Sequence, residues 1–443
     1  MQQGYKIKDI WKIALPIMIG GIAQNLVTVT DTAFLGQIGQ VELGAAGNSG
    51  ILYFLFVITG MGFSSGAQII IGRRNGEKKY REIGGIVDQS FYFILPLGIL
   101  LTAILFFVMP HVLEYIIHSP QIYSASADYI KVRSFGIIFA FITFALNAFY
   151  IGTTKTNVLI VSTFIMAMVN VTLDYGLIFG NLGLPKMGIE GAALASVIAE
   201  ITACLFLFTF TFYKVDLEQY QLFKFLKPNK EKLVRILKVS SPIMLQSFIT
   251  LGSWYIFFSL IESMGEDDLA VSHIIRSIYM VMMIPMFGLS TAANTITSNL
   301  IGENKSNLVL PTTWKIVGIS VVCSLPFVLL NLLVPDEIIG FYTNSPDIIE
   351  SCKETLYVIS GSMFFFCLAF ILFNSVTGTG NTKTSLLIEF INIVIYLTSA
   401  IFIIKYFNPR IAYVWCAEFI YFGLLALMSW YYLKYGNWRD KQI

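Results

Sequence analysis

Carboxyl and amide side chains recur at helical spacing within apolar segments in the first half of the chain. Gln24, Thr28 and Asp31 stand at i, i+4 and i+7, and Asn170 and Asp174 stand at i and i+4. Residues at these intervals share one face of a helix. A carboxylate inside a bilayer costs about 2.5 to 3.5 kcal/mol on insertion scales, so each acid should face a cavity or a partner rather than lipid.

Asp31 and Asp174 are therefore candidates for the binding of a coupling ion. Burial and a neighbouring carboxylate both favour the protonated form of a carboxyl group, whereas a bound cation favours the ionised form. Such a pair can exchange protons near neutral pH, or it can hold a monovalent cation together with the amide of Asn170 and a hydroxyl group. The alternative is that Asp31 lies at the membrane interface and that Asp174 is a structural acid.

Two further polar pairs have the same i, i+4 spacing. They are Thr143 with Asn147, and Ser196 with Glu200. Glu200 is a weaker candidate for a role in transport, because Glu418 occupies a comparable place in the second half of the chain. That symmetry argues for a shared packing role as much as for a functional one.

The composition of the chain indicates a membrane protein. Hydrophobic residues make up 56% of its 443 residues and charged residues only 13%, against roughly 45–50% and 25% in soluble domains. Apolar runs such as 91–109 and 192–212 approach the roughly 20 residues that a helix needs to cross a bilayer. Counting such runs predicts about twelve transmembrane helices in an all-α, polytopic fold.

The chain also repeats itself. The segment that starts at Gly152 returns at Gly380, and Pro16-Ile-Met returns as Pro242-Ile-Met; Gly72, after an apolar run, is matched to Gly302. Repeats at nearly one offset indicate two homologous halves. With six spans each, both halves enter the membrane in the same direction and are related by an axis along the membrane normal.

The halves are predicted as a six-helix bundle over 1–213, a basic cytoplasmic linker over 214–238 and a second six-helix bundle over 239–443. Basic residues crowd the loops near Arg74 and Lys230, and acidic residues the loops near Glu266 and Asp336. The positive-inside rule then places both termini in the cytoplasm. We expect a multi-pass protein of the inner cell membrane.

The two halves differ at the acidic positions. Asp31 aligns with Phe257, Asn170 with Thr398 and Asp174 with Phe402, so broken symmetry marks the first half as the coupling site. In the second half, Glu389 lies within one turn of a polar loop, and we expect it at the membrane interface.

Enzymatic and cofactor signals are weak. The three histidines form no zinc or Ser-His motif, and the five cysteines include no Cys-x-x-Cys pair. The run from Gly378 to Lys383 lacks the glycine that a Walker A motif places directly before lysine. We therefore expect no enzymatic activity, no cofactor beyond sodium as a candidate coupling ion, no nucleic-acid partner and a monomer in the lipid bilayer.

Several motifs together resemble the multidrug and toxic compound extrusion (MATE) family over essentially the whole chain. They are the Ala14-Leu-Pro16 to Gly39 segment with Gln24 and Asp31, the Asn170-x-x-x-Asp174 pair, Gly191-Ala-Ala-Leu-Ala-Ser196, and Gly378-Thr-Gly380-Asn-Thr-Lys383. The resemblance implies twelve helices in two bundles that export cationic or amphiphilic organic compounds in exchange for protons or sodium ions.

The resemblance also implies which residues line the polar cavity of the first bundle. They are Asp31, Asn170, Asp174, Gln24 and Asn147, with Ser196 in place of the family's usual sixth-span threonine. Thr250 and Phe366 stand where some members carry acids in the second bundle, which disfavours a cation site there. The rival interpretation is a lipid-linked oligosaccharide flippase of the same superfamily, which usually has a more cationic cavity.

Overall fold

The computed structural model describes residues 4–407 and 410–439, and this part of the chain contains helices and no β-strand. Eleven helices are long and apolar enough to cross a membrane, and a bent pair of helices adds a twelfth span. The predicted all-α polytopic fold is confirmed. Residues 1–3 and 440–443, at the ends of the two predicted bundles, lie outside the described residues.

Contacts group the chain into two compact units, and the N-terminal unit comprises Ile19–Met244. The helices that lie in it wholly or in part are α1 (Ile7–Ile38), α2 (Gln40–Gly76), α3 (Tyr80–Ala103), α4 (Met109–Ile116), α5 (Pro120–Ser134), α6 (Gly136–Gly152), α7 (Asn157–Phe179), α8 (Ile189–Lys214), α9 (Leu217–Tyr220) and the start of α10 (Lys230–Glu262). A π-helical turn, Ile104–Val108, joins α3 to α4.

The C-terminal unit comprises Met1–Met18 and Leu245–Ile443. Its helices, besides the start of α1 and the remainder of α10, are α11 (Glu266–Gly302), α12 (Val309–Leu333), α13 (Pro335–Gly340), α14 (Pro346–Gly378), α15 (Thr382–Phe407), α16 (Ile411–Trp415) and α17 (Ala417–Tyr435). Its core is formed by buried aliphatic and aromatic side chains of α11, α14 and α17, with Trp415 of α16.

The unit boundaries fall at equivalent places in the repeat. One boundary follows Met18 in α1 and the other follows Met244 in α10. Each closes a copy of the Pro-Ile-Met motif, so both boundaries lie inside a long helix that carries an internal proline. Proline lacks the N–H group that an α-helix would use there.

The turns that follow α2 and α11 are equivalent in the repeat. Both helices have 37 residues, and each ends in Gly-Glu followed by a residue in the left-handed region. Those residues are Lys78, with φ 57°, and Asn304, with φ 58°. Gly76 therefore matches Gly302, and the sequence match of Gly302 to Gly72 is wrong by one helical turn.

The segment that follows α9 is held against α3. The Asp88 carboxylate accepts hydrogen bonds from the backbone N–H groups of Phe223 and Phe225 at 3.0 and 2.9 Å. Gln221, Phe223 and Phe225 all have positive φ angles. Backbone strain of this kind persists where the surroundings over-determine it, so this part of the predicted linker has a defined structure.

Candidate functional site

The close approach of α7 and α8 positions the polar site. Gly191 of α8 lies against the backbone of Leu177, and a Cβ atom at Gly191 would stand 2.7 Å from the Leu177 carbonyl oxygen. The residues Ala192, Ala193, Ala195 and Ala199 are also buried. Small residues let helix backbones approach closely in membranes. This packing brings the polar face of α8 to the polar face of α7.

Three of the predicted site residues are buried where these two helices meet. Asp174 is 0% exposed, Asn170 is 1% exposed and Ser196 is 9% exposed. Asn170 lies between the other groups: one end of its amide is 3.3 Å from Ser196 Oγ, and the other end is near the carboxyl groups of Asp174 and Asp31.

The orientation of the Asn170 amide follows from its neighbours. With its nitrogen toward the acids, Asn170 donates to Asp31 Oδ1 at 3.0 Å and to Asp174 Oδ2 at 3.3 Å. Its oxygen then faces the Ser196 hydroxyl, which can donate. This orientation satisfies both ends of the amide, whereas the opposite one sets the amide oxygen against carboxylate oxygens.

The two carboxyl groups share one amide. Asp31, from α1, and Asp174, from α7, each have an oxygen atom within 3.3 Å of the Asn170 amide nitrogen. Two ionised carboxylates so placed repel, so a proton or a cation bound by them stabilises the arrangement. Asp174 Oδ1 is buried and has no hydrogen-bond partner within the described residues. The cluster can therefore take up one positive charge.

An ion pair lies next to this cluster, and the sequence did not reveal it. Arg133 of α5 forms a two-point contact with Glu200 of α8: Nη1 donates to Oε2 at 2.9 Å and Nη2 donates to Oε1. The guanidinium also lies 4.0 Å from the ring centroid of Tyr53 on α2. Both charged side chains are largely buried, at 12% and 16% exposed.

The sequence did not indicate that Arg133 belongs to a buried helix, because the α5 segment is only weakly apolar and resembles a loop before an apolar run. In the structure, α5 and α6 meet at a bend of 44° and are long and apolar enough to cross a membrane only when taken together. Arg133 sits one turn after Tyr129 on α5. A spacing of four residues between Tyr129 and Arg133, opposite the pair of Ser196 and Glu200, was the available signal.

Three other predicted residues are not joined to the cluster by any recorded hydrogen bond. Gln24 and Thr28 are exposed in this structure, and the Thr28 hydroxyl donates to the Gln24 carbonyl of its own helix at 3.2 Å. Asn147 is partly buried, and its Oδ1 atom has no hydrogen-bond partner within the described residues. Their assignment to a substrate cavity remains a prediction.

The aligned positions of the second half have different environments. Phe257, which aligns with Asp31, is 2% exposed and packs edge-to-face on Trp415 with ring centroids 5.5 Å apart. Phe402, which aligns with Asp174, is 52% exposed. Neither position can bind an ion.

Glu389 is buried within the C-terminal unit, and its position at the membrane interface stays a prediction. Its side chain is 3% exposed, and Oε1 accepts hydrogen bonds from Tyr421 at 2.7 Å and from Thr250 at 3.0 Å. Glu418 is 4% exposed and accepts a hydrogen bond from Tyr396 at 3.0 Å. The second half thus carries two buried acids, Glu389 on α15 and Glu418 on α17.

Comparison with known proteins places these features in a family. A sequence model of the MatE family matches the chain twice, over residues 16–176 and 242–402. The two matches cover most of the chain and reproduce the internal repeat. Asp31 and the pair of Asn170 and Asp174 lie within the first match.

Two curated relatives span nearly the same length as this chain. The probable multidrug resistance protein NorM of Thermotoga maritima is 26% identical, over 98% of this chain and 94% of the relative. The probable multidrug resistance protein YoeA of Bacillus subtilis is 22% identical, over 98% of this chain and 96% of the relative.

Two solved structures have the same fold. An outward-facing multidrug resistance MATE family transporter of the MOP superfamily superposes with a TM-score of 0.90, at 19% identity and 98% coverage of both chains. A MOP superfamily transporter from Pyrococcus furiosus, described as having a binding pocket of reverse polarity that suggests a different function, superposes with a TM-score of 0.88, also at 19% identity and 98% coverage of both. The predicted MATE fold is confirmed.

Proposed function

The chain belongs to the MatE family of membrane transporters, and from this premise we propose that it exports organic compounds in exchange for an ion bound at Asp31 and Asp174. The observation that carries the proposal is that the buried Asn170 amide bridges these two carboxyl groups. One proton or one cation bound by the two groups leaves a single negative charge there, and its loss leaves two like charges around one amide. Ion binding and release thereby change the charge of the N-terminal unit.

Each residue of the cluster has a distinct role in this proposal. Asp31 and Asp174 exchange the ion, and Asn170 holds both carboxyl groups in place through its amide N–H bonds. Ser196 orients the amide by donating to its oxygen. Asp174 is fully buried whereas Asp31 is only partly buried, so we assign ion entry and release to Asp31.

We favour the proton over sodium as the coupling ion. The cluster contains two carboxyl groups that share one amide donor, an arrangement in which one of the two groups can hold a proton while the other stays ionised. A sodium ion would be held by oxygen atoms of Asp31, Asn170, Asp174 and Ser196, with Asn170 turned so that its oxygen faces the ion. That orientation would require rotation of the amide from the one that satisfies its neighbours.

The substrate class proposed is small organic cations and amphiphiles. The relatives from Thermotoga maritima and Bacillus subtilis carry the name multidrug resistance protein. In this chain, an ionised Asp31 attracts a cationic compound, and protonation of Asp31 removes that attraction. Proton uptake and substrate release then become alternatives within one unit, as exchange transport requires.

The test is dye efflux from proteoliposomes that contain the purified protein. Ethidium, a fluorescent organic cation, should leave the vesicles when a proton gradient is imposed and not when a sodium gradient alone is imposed. The Asp31→Asn variant, reconstituted at the same density, is the control for leak. Efflux driven only by sodium would reverse the choice of ion while keeping the site.

The second candidate is a flippase for lipid-linked oligosaccharides. The transporter from Pyrococcus furiosus supports this candidate, because it has the same fold and is described as having a binding pocket of reverse polarity that suggests a different function. In this chain, the charge of Arg133, the arginine one helical turn from the carboxyl cluster, is matched by Glu200. We therefore rank this candidate second. Movement of a fluorescent lipid-linked oligosaccharide across proteoliposome membranes without ethidium efflux would favour it.

The topology proposed places both termini and the 214–238 segment in the cytoplasm. Exposed basic residues of that segment include Lys224, Lys227 and Lys230. Basic loops are retained on the cytoplasmic side of inner cell membranes. We propose that the monomer is the transporting unit, since the ion cluster is built from α1, α7 and α8 of one chain.

A further inference from the structure

The Arg133–Glu200 ion pair joins three helices of the N-terminal unit. Arg133 lies on α5, one residue before its end, Glu200 lies on α8, and Tyr53 lies on α2. The Tyr53 ring packs against the guanidinium at 4.0 Å, and its hydroxyl lies 3.4 Å from Glu200 Oε2. At Gly136, just beyond the bend, a Cβ atom would collide with both charged groups. The absence of a side chain at Gly136 therefore leaves the space that the ion pair occupies.

The pair is one helical turn from the ion cluster. Glu200 follows Ser196 by four residues on α8, and Ser196 contacts the Asn170 amide at 3.3 Å. The carboxyl groups of Asp31 and Asp174 lie at the other end of the same amide. Tyr129 stands one turn before Arg133 on α5. Any net charge left on the pair would therefore act on the carboxyl groups that exchange the ion.

We propose that Arg133 and Glu200 are positioning residues that set the pH range over which Asp31 and Asp174 exchange their proton. This inference rests on the function proposed above. The pair carries no net charge while both partners are present. Loss of either partner leaves one buried charge a helical turn from the cluster, positive in one case and negative in the other, and a nearby charge shifts the protonation of a carboxyl group most strongly where water is excluded.

The titratable and charged groups around the carboxyl cluster come from each helix that packs there. They are Asp31 from α1, Tyr53 from α2, Tyr129 and Arg133 from α5, Asp174 from α7 and Glu200 from α8. Within the described residues, Arg133 is the only cation among them. The balance between Arg133 and Glu200 therefore decides whether the cluster experiences a positive, a neutral or a negative neighbour.

The experiment measures ethidium binding to the purified full chain as a function of pH. Glu200→Gln leaves the guanidinium unpaired, which favours ionised carboxylates, so the midpoint should move to lower pH by on the order of one unit. Arg133→Gln leaves the Glu200 carboxylate unpaired, which favours the protonated cluster, so the midpoint should move to higher pH by a similar amount. The double variant Arg133→Gln/Glu200→Gln should return the midpoint to that of the wild type.

Opposite shifts that cancel in the double variant are not expected of residues that only support the fold. Shifts of the same sign, or midpoints unmoved in both single variants, would overturn the inference. Failure of both single variants to accumulate in the membrane, with normal accumulation of the double variant, would assign the pair to folding alone and would equally overturn it. A wild-type protein whose ethidium binding is independent of pH would instead refute the proposed proton coupling.

Discussion

At the residue scale, the pairing of Asp31 and Asp174 around the Asn170 amide leads to the sharpest mutational prediction. Asp31→Asn or Asp174→Asn keeps the volume and removes the charge that the ion neutralises. Each variant should reach wild-type levels in the membrane and lose ion-driven ethidium efflux down to the leak of empty vesicles. The aligned residues of the other half are matched controls: Phe257→Leu and Phe402→Leu should retain efflux.

The two control variants should differ in stability, because Phe257 and Phe402 have different environments. Phe257 is buried against Trp415, so Phe257→Leu should destabilise the fold by about 1 kcal/mol. Phe402 is 52% exposed, and its replacement should be close to neutral. If cells that express the Asp31→Asn variant and cells that express the Asp174→Asn variant both kept their drug resistance, the cluster would be ruled out as the coupling site.

A second residue-scale prediction concerns pH. Protonation of Asp31 removes the negative charge that attracts a cation, so ethidium binding should weaken as the pH falls. The Asp31→Asn variant mimics the neutral form and should bind ethidium weakly at every pH. Fluorescence anisotropy of ethidium with purified protein measures both curves. Binding that is flat in pH but displaced by sodium in the millimolar range would favour sodium as the ion.

At the element scale, the α7–α8 contact depends on the absence of a side chain at Gly191. A Cβ atom there would stand 2.7 Å from the Leu177 carbonyl oxygen, so Gly191→Ala should force the helices apart and cost about 1–3 kcal/mol. Gly252→Ala is the matched control, because its Cβ atom meets nothing within 4 Å and alanine favours the helix. Thermal unfolding in detergent measures both. Equal unfolding temperatures would contradict this account of the helix contact.

The buried acid of α15 links three helices of the C-terminal unit. Tyr421 of α17 and Thr250 of α10 both donate to Glu389 Oε1. Tyr421→Phe removes one donor from a buried carboxyl and should destabilise the protein by about 1–3 kcal/mol. Tyr431→Phe, on the same helix but 62% exposed, should be neutral. The difference in unfolding temperature between the two variants is the measurement, and a difference near zero would refute the structural role of this bond.

At the scale of the whole molecule, the distribution of loop charges predicts the topology. In a background with the five native cysteines replaced, single cysteines at Lys78 and Lys230 should label only after the membrane is opened. Cysteines at Glu266 and Glu337 should label in intact cells with a membrane-impermeant maleimide. All four positions are exposed in the structure, so lack of labelling reports sidedness rather than burial. Labelling of residue 230 from outside intact cells would overturn the orientation.

The sequence alone determined the class of fold. Apolar runs of membrane-spanning length can satisfy their backbone groups in lipid only as helices or closed barrels, and their length fits helices here. The i, i+4 spacing placed Asn170 and Asp174 on one helix face, and the repeat exposed the asymmetry at Asp31. These inferences needed only local geometry and the energetic cost of a charge in lipid.

The tertiary structure decided which polar groups meet. That Ser196 reaches the Asn170 amide depends on how closely α7 and α8 approach at Gly191, and the pairing of Arg133 with Glu200 depends on the bend between α5 and α6. Glu389 is buried because Tyr421 and Thr250 reach it from other helices. Spacing along a chain records neighbours on one helix, whereas partners across helices are fixed by packing, which no single helix encodes.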